Sequence, residues 1–187
     1  MRILAIDPGN TMSAWCLLVD GKPASTDKEA NADVLEHLRD RNTFINVDVC
    51  AIEMIASYGM AVGREVFETC LWIGRFMEAW QARGGIGMVR LVYRKDVKLH
   101  LCHTARATDS NIRAALLDRF GPGREVAVGT KRAPGPLYGI KGDEWSALAV
   151  ALTCEASMAP PDEGFMQPRA ERTAPPELLV NGETVPF

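Results

Sequence analysis

The fold is decided by one stretch near the start of the chain, Arg2-Ile3-Leu4-Ala5-Ile6-Asp7-Pro8-Gly9. Its apolar run predicts a strand that is buried on both faces, and Pro8-Gly9 predicts a turn directly after it. Asp7 therefore stands where a central strand ends. A carboxylate that projects from a rigid sheet in this way suits a metal ligand, and the plainer interpretation is a solvated acid that caps the turn.

A second apolar run, residues 47–53, repeats this arrangement because it ends at Glu53. Parallel neighbours in an α/β sheet place their carboxyl ends side by side, so we expect Asp7 and Glu53 to lie together. A third acid, Asp143, opens the last helical segment at its N-cap. Carboxylates from three separated places suit hard divalent cations such as Mg²⁺ or Mn²⁺.

The remaining pattern predicts an α/β fold with five strands and several flanking helices. The strands fall at residues 2–6, 14–19, 22–26, 47–53 and 89–93. The helices fall at residues 29–41, 62–80, 95–102, 109–119 and 143–158. Residues 121–142 are interpreted as a long basic loop, which in a compact domain is usually functional or disordered. The prediction is one domain over residues 1–158 and a tail over 159–187, which holds 6 of the 11 prolines.

Composition excludes several classes of protein. No run approaches the roughly 18 apolar residues that span a membrane, and the start of the chain lacks the pattern of a signal peptide. We therefore expect a cytoplasmic protein with no membrane partner. The 5 cysteines are scattered and no two have CxxC spacing, which argues against a disulfide framework or a zinc site.

The charge is unevenly distributed along the chain. The net charge is −3, yet residues 83–141 contain 12 Lys or Arg and only 4 Asp or Glu. A basic middle inside an acidic chain is typical of a polyanion-binding face around an acidic metal site. An ordinary solvated face is the alternative interpretation.

Taken together, these motifs resemble the RNase H-like nuclease superfamily and, within it, the RuvC-type Holliday junction resolvases, particularly the phage-like versions. The resemblance rests on residues 3–9, 51–53, 97–98 with 107–112, and 143–151, which occur in the family's order. It implies a mixed five-stranded sheet flanked by helices. It also implies a homodimeric, divalent-metal-dependent endonuclease that resolves four-way DNA junctions by paired nicking.

The resemblance also implies roles for individual residues. Asp7, Glu53 and Asp143 would bind Mg²⁺ or Mn²⁺, and Lys98 would lie near the scissile phosphate as a further catalytic residue. The helix over 62–80 would contribute to the dimer interface. The candidate DNA-binding residues are Tyr58, Arg94, Lys95, Lys98, Arg106, Lys131 and Arg132.

The sequence departs from the family at two places. Ser146 stands where the family usually has a second acid of the last motif, so Glu144 and Ser146 are both candidates for a fourth ligand. Asp109 stands near the position of a second family lysine. These departures favour keeping two alternatives: a non-catalytic RNase H-like module that binds branched DNA, and a nuclease of the same fold that acts on forks or flaps.

The stretch from Asp7 to Thr11 also resembles the phosphate loop of the actin-like sugar kinases and chaperone ATPases, which share this sheet topology. Those proteins need two such domains and a Gly-rich adenosine motif. The chain is too short for two domains and has no convincing second copy, which argues against this class.

Overall fold

The computed structural model describes residues 1–57, 59, 61–83 and 87–158. The strands are β1 (Arg2–Asp7), β2 (Met12–Val19), β3 (Lys22–Ala30), β4 (Val49–Met54) and β5 (Met88–Tyr93). The helices are α1 (Asn31–Arg39), α2 (Arg64–Gln81), α3 (Arg94–Cys102), α4 (Asp109–Phe120), α5 (Arg124–Ala127) and α6 (Glu144–Met158). The predicted tail, residues 159–187, lies outside the described residues.

The five strands form one mixed sheet in the order β3-β2-β1-β4-β5. Strands β1, β2 and β3 pair antiparallel, whereas β4 pairs parallel with both β1 and β5. The predicted fold class, a mixed five-stranded α/β sheet flanked by helices, is therefore confirmed. Strand β1 lies at the centre because its apolar run buries both faces, as expected of a strand covered by helices on both sides.

Alternate residues of β1 face opposite layers of the molecule, as the pleat of a strand requires. Ile3 and Ala5 belong to the apolar cluster that includes α6. Leu4 and Ile6 belong to the cluster that includes residues of α1 and α2. The sheet is thus covered by α6 on one face, with α3 and α4 packed against that helix, and by α1 and α2 on the other. We call the first of these faces the α6 face.

Helix α6 is buried nearly all round, and this explains its composition. Ten of its fifteen residues are buried, and the small side chains of Ala147, Ala149 and Ala151 let its backbone approach the sheet closely. A helix that is apolar on every side is typical of a core position. Its first turn is thereby held rigidly above the carboxyl ends of β1 and β4.

Helix α2 divides its apolar residues between the core and solvent. Ile73, Phe76 and Trp80 are buried against the sheet. Phe67 and Leu71 point outward and are 60% and 67% exposed. Val66 and Cys70 are only half-buried, because the side of the helix around Thr69 is the one turned inward.

Two segments differ most from the sequence prediction, and the other bounds shift by about two residues at most. Strand β3 continues to Ala30, beyond the predicted end at residue 26, because its antiparallel pairing with β2 persists to Met12. The segment 121–142 is not one irregular loop. It contains α5 and a tight turn closed by reciprocal backbone hydrogen bonds between Thr130 and Ala133, of 2.9 and 3.1 Å.

Candidate metal centre and nucleic-acid interface

The register of the sheet brings Asp7 and Glu53 together. Ile6 of β1 lies opposite Ile52 of β4 in a parallel ladder, so the next residue of each strand falls at the same edge. Because alternate residues of a strand face opposite sides of the sheet, both acids lie on the α6 face. The structure therefore places the two carboxylates side by side beneath the start of that helix, as the strand-end argument predicts.

The state in which both carboxylates are ionised is unfavourable, because they are buried and lie side by side. Burial, together with the adjacent charge of Glu53, raises the pKa of Asp7 to about 8. Burial also raises the pKa of Glu53, although the Arg94 guanidinium opposes that rise. A proton shared between the two acids relieves their repulsion. A bound cation would do the same, so strongly perturbed acids in a cleft mark a candidate functional site.

The turn after Asp7 is fixed by buried polar contacts. The side-chain amide of Asn31 donates to the Gly9 carbonyl at 2.9 Å, and the Ser13 hydroxyl donates to the Asn31 side-chain oxygen at 2.6 Å. Gly9 has no room for a Cβ, which would lie 2.4 Å from the Met12 carbonyl oxygen. These contacts hold the chain beyond β1 in one path and so fix the direction of the Asp7 side chain.

Asp143 reaches this part of the sheet but is engaged by a lysine. Its carboxylate accepts a hydrogen bond from the Lys28 ammonium at 2.5 Å. Lys28 is in register with Ala14 of β2, which in turn is in register with Asp7. Asp143 therefore lies above the same row of the sheet as Asp7, and its charge contributes to the raised pKa of Asp7.

Arg94, the first residue of α3, lies on the other side of the pair. Its guanidinium forms a salt bridge with Asp109 and lies 3.6 Å from the Glu53 carboxylate. One of its nitrogens also donates to the Ser146 hydroxyl at 3.4 Å. An arginine predicted to contact DNA is therefore bonded to two acids and one serine, which lie on three different elements.

The two candidates for a fourth ligand lie in different surroundings. Glu144 is 2% exposed and accepts a hydrogen bond of 2.7 Å from the Thr26 hydroxyl on β3. It therefore lies one row away from the acid pair, because Thr26 is in register with Cys16 and not with Ala14. The structure does not bring Glu144 to the pair. Ser146 does lie at the site, in contact with Arg94.

The donor set fits a hard divalent cation in part. Asp7 and Glu53 offer adjacent carboxylate oxygens, the ligands that Mg²⁺ and Mn²⁺ prefer. Within the described residues, however, no three His, Cys, Asp or Glu side chains are grouped closely enough to ligate one ion. The expected set of three acids is thus incomplete as arranged, and Asp143 is instead paired with Lys28.

The predicted basic residues fall into two groups. Arg94, Lys95, Lys98 and Ala105 line a cleft of about 270 Å³, and the charge of Lys98 acts on Glu53. The other predicted DNA contacts are exposed in loops: Arg106 follows α3, and Lys131 and Arg132 occupy the turn between Thr130 and Ala133. Tyr58 lies outside the described residues.

Sequence reasoning missed Lys28 and the Arg94–Asp109 pair. The sequence did contain a signal for Lys28. If β3 is extended past residue 26, the alternation of side chains along the strand places Lys28 on the α6 face, beside Asp7. The Asn31–Ser13 contact carried no comparable signal, since nothing in the local pattern of Asn31 distinguishes it from an ordinary residue at the start of a helix.

Comparison with solved structures identifies the class of fold. The RuvC of Thermus thermophilus is similar with a TM-score of 0.55 and 20% identity over 82% of this chain and 92% of that chain. The structure of T. thermophilus RuvC in complex with Holliday junction substrate gives a TM-score of 0.57 at the same identity and coverage. The chain therefore has the RuvC type of RNase H-like fold.

Sequence comparison adds no closer relative: neither a protein-family model nor a curated protein matches the chain. Among the helices of the described residues, none has the length and apolar character needed to cross a membrane.

Proposed function

We propose that the chain is a divalent-metal-dependent endonuclease that cuts branched DNA, with the four-way Holliday junction as its preferred substrate. The observation that supports this most directly is the buried Asp7–Glu53 pair at the ends of two adjacent parallel strands. The RuvC type of fold and the basic cleft beside the pair support the same assignment. Cleavage by paired nicks is the activity that this proposal assigns to the chain.

In this proposal Asp7 and Glu53 hold Mg²⁺ or Mn²⁺, and Asp143 completes the ligand set when it leaves Lys28. A bound divalent cation supplies Lewis-acid stabilisation of the phosphodiester and lowers the pKa of its bound water. The residues of the chain fix the ligand oxygens on rigid elements and keep the pair partly buried, which strengthens the attraction between the carboxylates and a bound cation.

Lys98 is assigned to the scissile phosphate. It lies on α3 one turn beyond Arg94, lines the cleft with Lys95, and acts electrostatically on Glu53. A lysine in this place neutralises a phosphate oxygen without entering the carboxylate pair. Arg106, Lys131 and Arg132 contribute longer-range phosphate contacts, so DNA affinity should fall steeply with salt concentration.

The chain is further proposed to act as a homodimer through α2. Phe67 and Leu71 are large apolar side chains that are more than half exposed on one side of this helix, and exposed apolar patches mark interaction sites. Gly74 lies on the same exposed side, where a Cβ would contact nothing within the protomer. A second α2 could therefore approach closely at that point.

One observation favours a second candidate, the non-catalytic module that binds branched DNA. Lys28 neutralises Asp143, and a site with only two available carboxylates holds metal less firmly than a site with three. This candidate predicts junction binding without cleavage, even at high metal concentration.

The experiment that tests the proposal uses three labelled substrates, a four-way junction, a Y-fork and a linear duplex, with Mg²⁺ or Mn²⁺. The wild-type chain is compared with Asp7→Asn and with the matched control Asp33→Asn, an exposed acid on α1. Paired nicks on the junction that disappear only in Asp7→Asn support the proposal. Equal cleavage of fork and duplex would exclude the junction preference, and binding without cleavage would favour the non-catalytic module.

The dimer is tested separately by sedimentation of the wild-type chain and of Leu71→Arg. The control is Val126→Arg, because Val126 is 53% exposed and lies on α5, away from α2. We expect a dimer in the wild type and control and a monomer in Leu71→Arg. A wild-type monomer at all concentrations would exclude this part of the proposal.

A further inference from the structure

The contacts of Arg94 have a consequence for the number of metal ions in the site. The guanidinium lies between the Glu53 carboxylate, at 3.6 Å, and the first turn of α6, where it donates to Ser146 at 3.4 Å. Asp109 binds the same guanidinium from the start of α4. A fixed positive charge thus occupies the space between the sheet acids and this side of α6.

The charges around the site are balanced for a single divalent cation. Two of the four carboxylates already have closely paired cations, Asp143 with Lys28 and Asp109 with Arg94. Asp7 and Glu53 remain, and together they carry at most two negative charges. If Asp143 leaves Lys28 to join them, the Lys28 charge stays beside the site and the net charge is unchanged. One divalent cation matches that charge, whereas a second would lie beside a guanidinium and would gain no further carboxylate.

The side of the site that faces α6 is also poor in ligands. Ser146 offers a neutral hydroxyl, and that oxygen already accepts from Arg94. Glu144, the adjacent acid, is buried toward Thr26. A second cation on this side would have to displace a guanidinium that three elements hold in place.

From these contacts we propose that Arg94 takes the place of a second metal ion, so that each protomer binds one divalent cation beside a built-in arginine. The inference rests on the proposed metal-dependent function and deepens it. Arg94 acts here as a positioning residue that balances charge and sets how many cations the carboxylates accept. Asp109 assists by holding the guanidinium against Glu53.

The test is the stoichiometry of Mn²⁺ binding to the purified chain. It is measured by titration calorimetry and by the electron paramagnetic resonance signal of free Mn²⁺. We expect about one Mn²⁺ per protomer in the wild type and about two in the double variant Arg94→Gln with Ser146→Asp, which removes the cation and adds a ligand. Two control variants, Arg113→Gln and Ser146→Ala, should keep about one. Arg113 lines a second cleft, of about 350 Å³, together with Arg94 and Ser146, but its guanidinium lies over the Trp145 ring.

The outcomes separate this inference from the function on which it rests. Two Mn²⁺ per wild-type protomer, or one in a double variant shown by circular dichroism to be folded, would overturn the role of Arg94 and leave the metal-dependent nuclease standing. No Mn²⁺ bound by the wild type would overturn both. If the double variant does not fold, the wild-type stoichiometry alone decides.

Discussion

The acids at this edge of the molecule form two unlike pairs. Asp7 and Glu53 end two neighbouring strands and are largely buried. Burial raises the pKa of both, and the charge of Glu53 raises that of Asp7 further. Asp143 and Glu144 are adjacent at the start of α6, yet each has a neutralising or donating partner on β3. The strand-end pair, Asp7 and Glu53, would therefore be stabilised by a bound cation. The helix pair, Asp143 and Glu144, already has partners within the protein.

This difference shows where a ligand gains most. Bringing a cation to the strand-end pair relieves repulsion that the fold itself maintains. Bringing the same cation to Asp143 first requires the loss of the Lys28 ion pair, and Glu144 would have to leave a buried hydrogen bond. Proximity in sequence to a predicted ligand is thus a poor guide to function in this site.

The largest expected effect compares one acid of each pair. Glu53→Gln should lower cleavage of a four-way junction by more than the roughly 10–100-fold that loss of an outer-shell partner costs a metal site. Glu144→Gln should retain cleavage to within about tenfold, because its amide oxygen still accepts from Thr26. Single-turnover assays with excess protein measure both. Equal losses in the two variants would show that the pairs are not functionally distinct.

The next effect concerns stability in the presence of a chelator. The pKa of Asp7 is raised from 3.8 to about 8, so its contribution to folding is fully present below about pH 4 and is lost as the pH rises through about 8. The wild type should therefore lose on the order of 2 kcal/mol of unfolding free energy between about pH 5 and pH 8 that Asp7→Asn does not lose.

Urea unfolding at the two pH values measures this difference. Asp33→Asn is the matched control, since that carboxylate is exposed on α1, away from the pair. If the wild type and Asp7→Asn showed the same pH dependence, ionisation of Asp7 would not cost the fold this unfolding free energy.

The strand-end pair could be predicted from the sequence, and the reason is geometric. The apolar runs before Asp7 and Glu53 define two buried strands, and the period of two fixes which face each acid takes. Their adjacency then follows from parallel pairing, which the register between Ile6 and Ile52 confirms. The mixed sheet and the approximate helix bounds follow from the same kind of local pattern.

Which partner each acid takes could not be predicted, because the pairing depends on contacts between residues far apart in the chain. The alternation along β3 could have placed Lys28 on the α6 face, but it does not link Lys28 to Asp143. Lys28 and Asp143 are separated by 115 residues, and no local pattern relates them. The basic middle was equally misleading at Arg83, which is 2% exposed, lies over the Trp80 ring and donates to the Thr43 carbonyl. A count of charges cannot tell such a buried arginine from one that faces DNA.

A third prediction sharpens the comparison by releasing one helix acid. Lys28→Met removes the partner of Asp143 and should tighten Mn²⁺ binding about tenfold, because a free carboxylate then adjoins the strand-end pair. Asp143→Asn should not gain affinity. Titration calorimetry measures both, with Lys22→Met, an exposed lysine of the same strand, as the control. Weaker binding in Lys28→Met would mean that the lysine positions Asp143 and does not compete for it.

The smallest expected effect tests the other helix acid. Thr26→Val keeps the shape of the side chain but removes the hydroxyl that donates to Glu144 at 2.7 Å, leaving a buried carboxylate with one donor fewer. We expect a loss of about 1 kcal/mol in unfolding free energy and no change in Mn²⁺ affinity, since Glu144 lies one row away from the metal ligands. Thr26→Ser, which keeps the hydroxyl, is the control. If Thr26→Val weakened Mn²⁺ binding as well, Glu144 would belong with the strand-end acids after all, and the division into two pairs would fail.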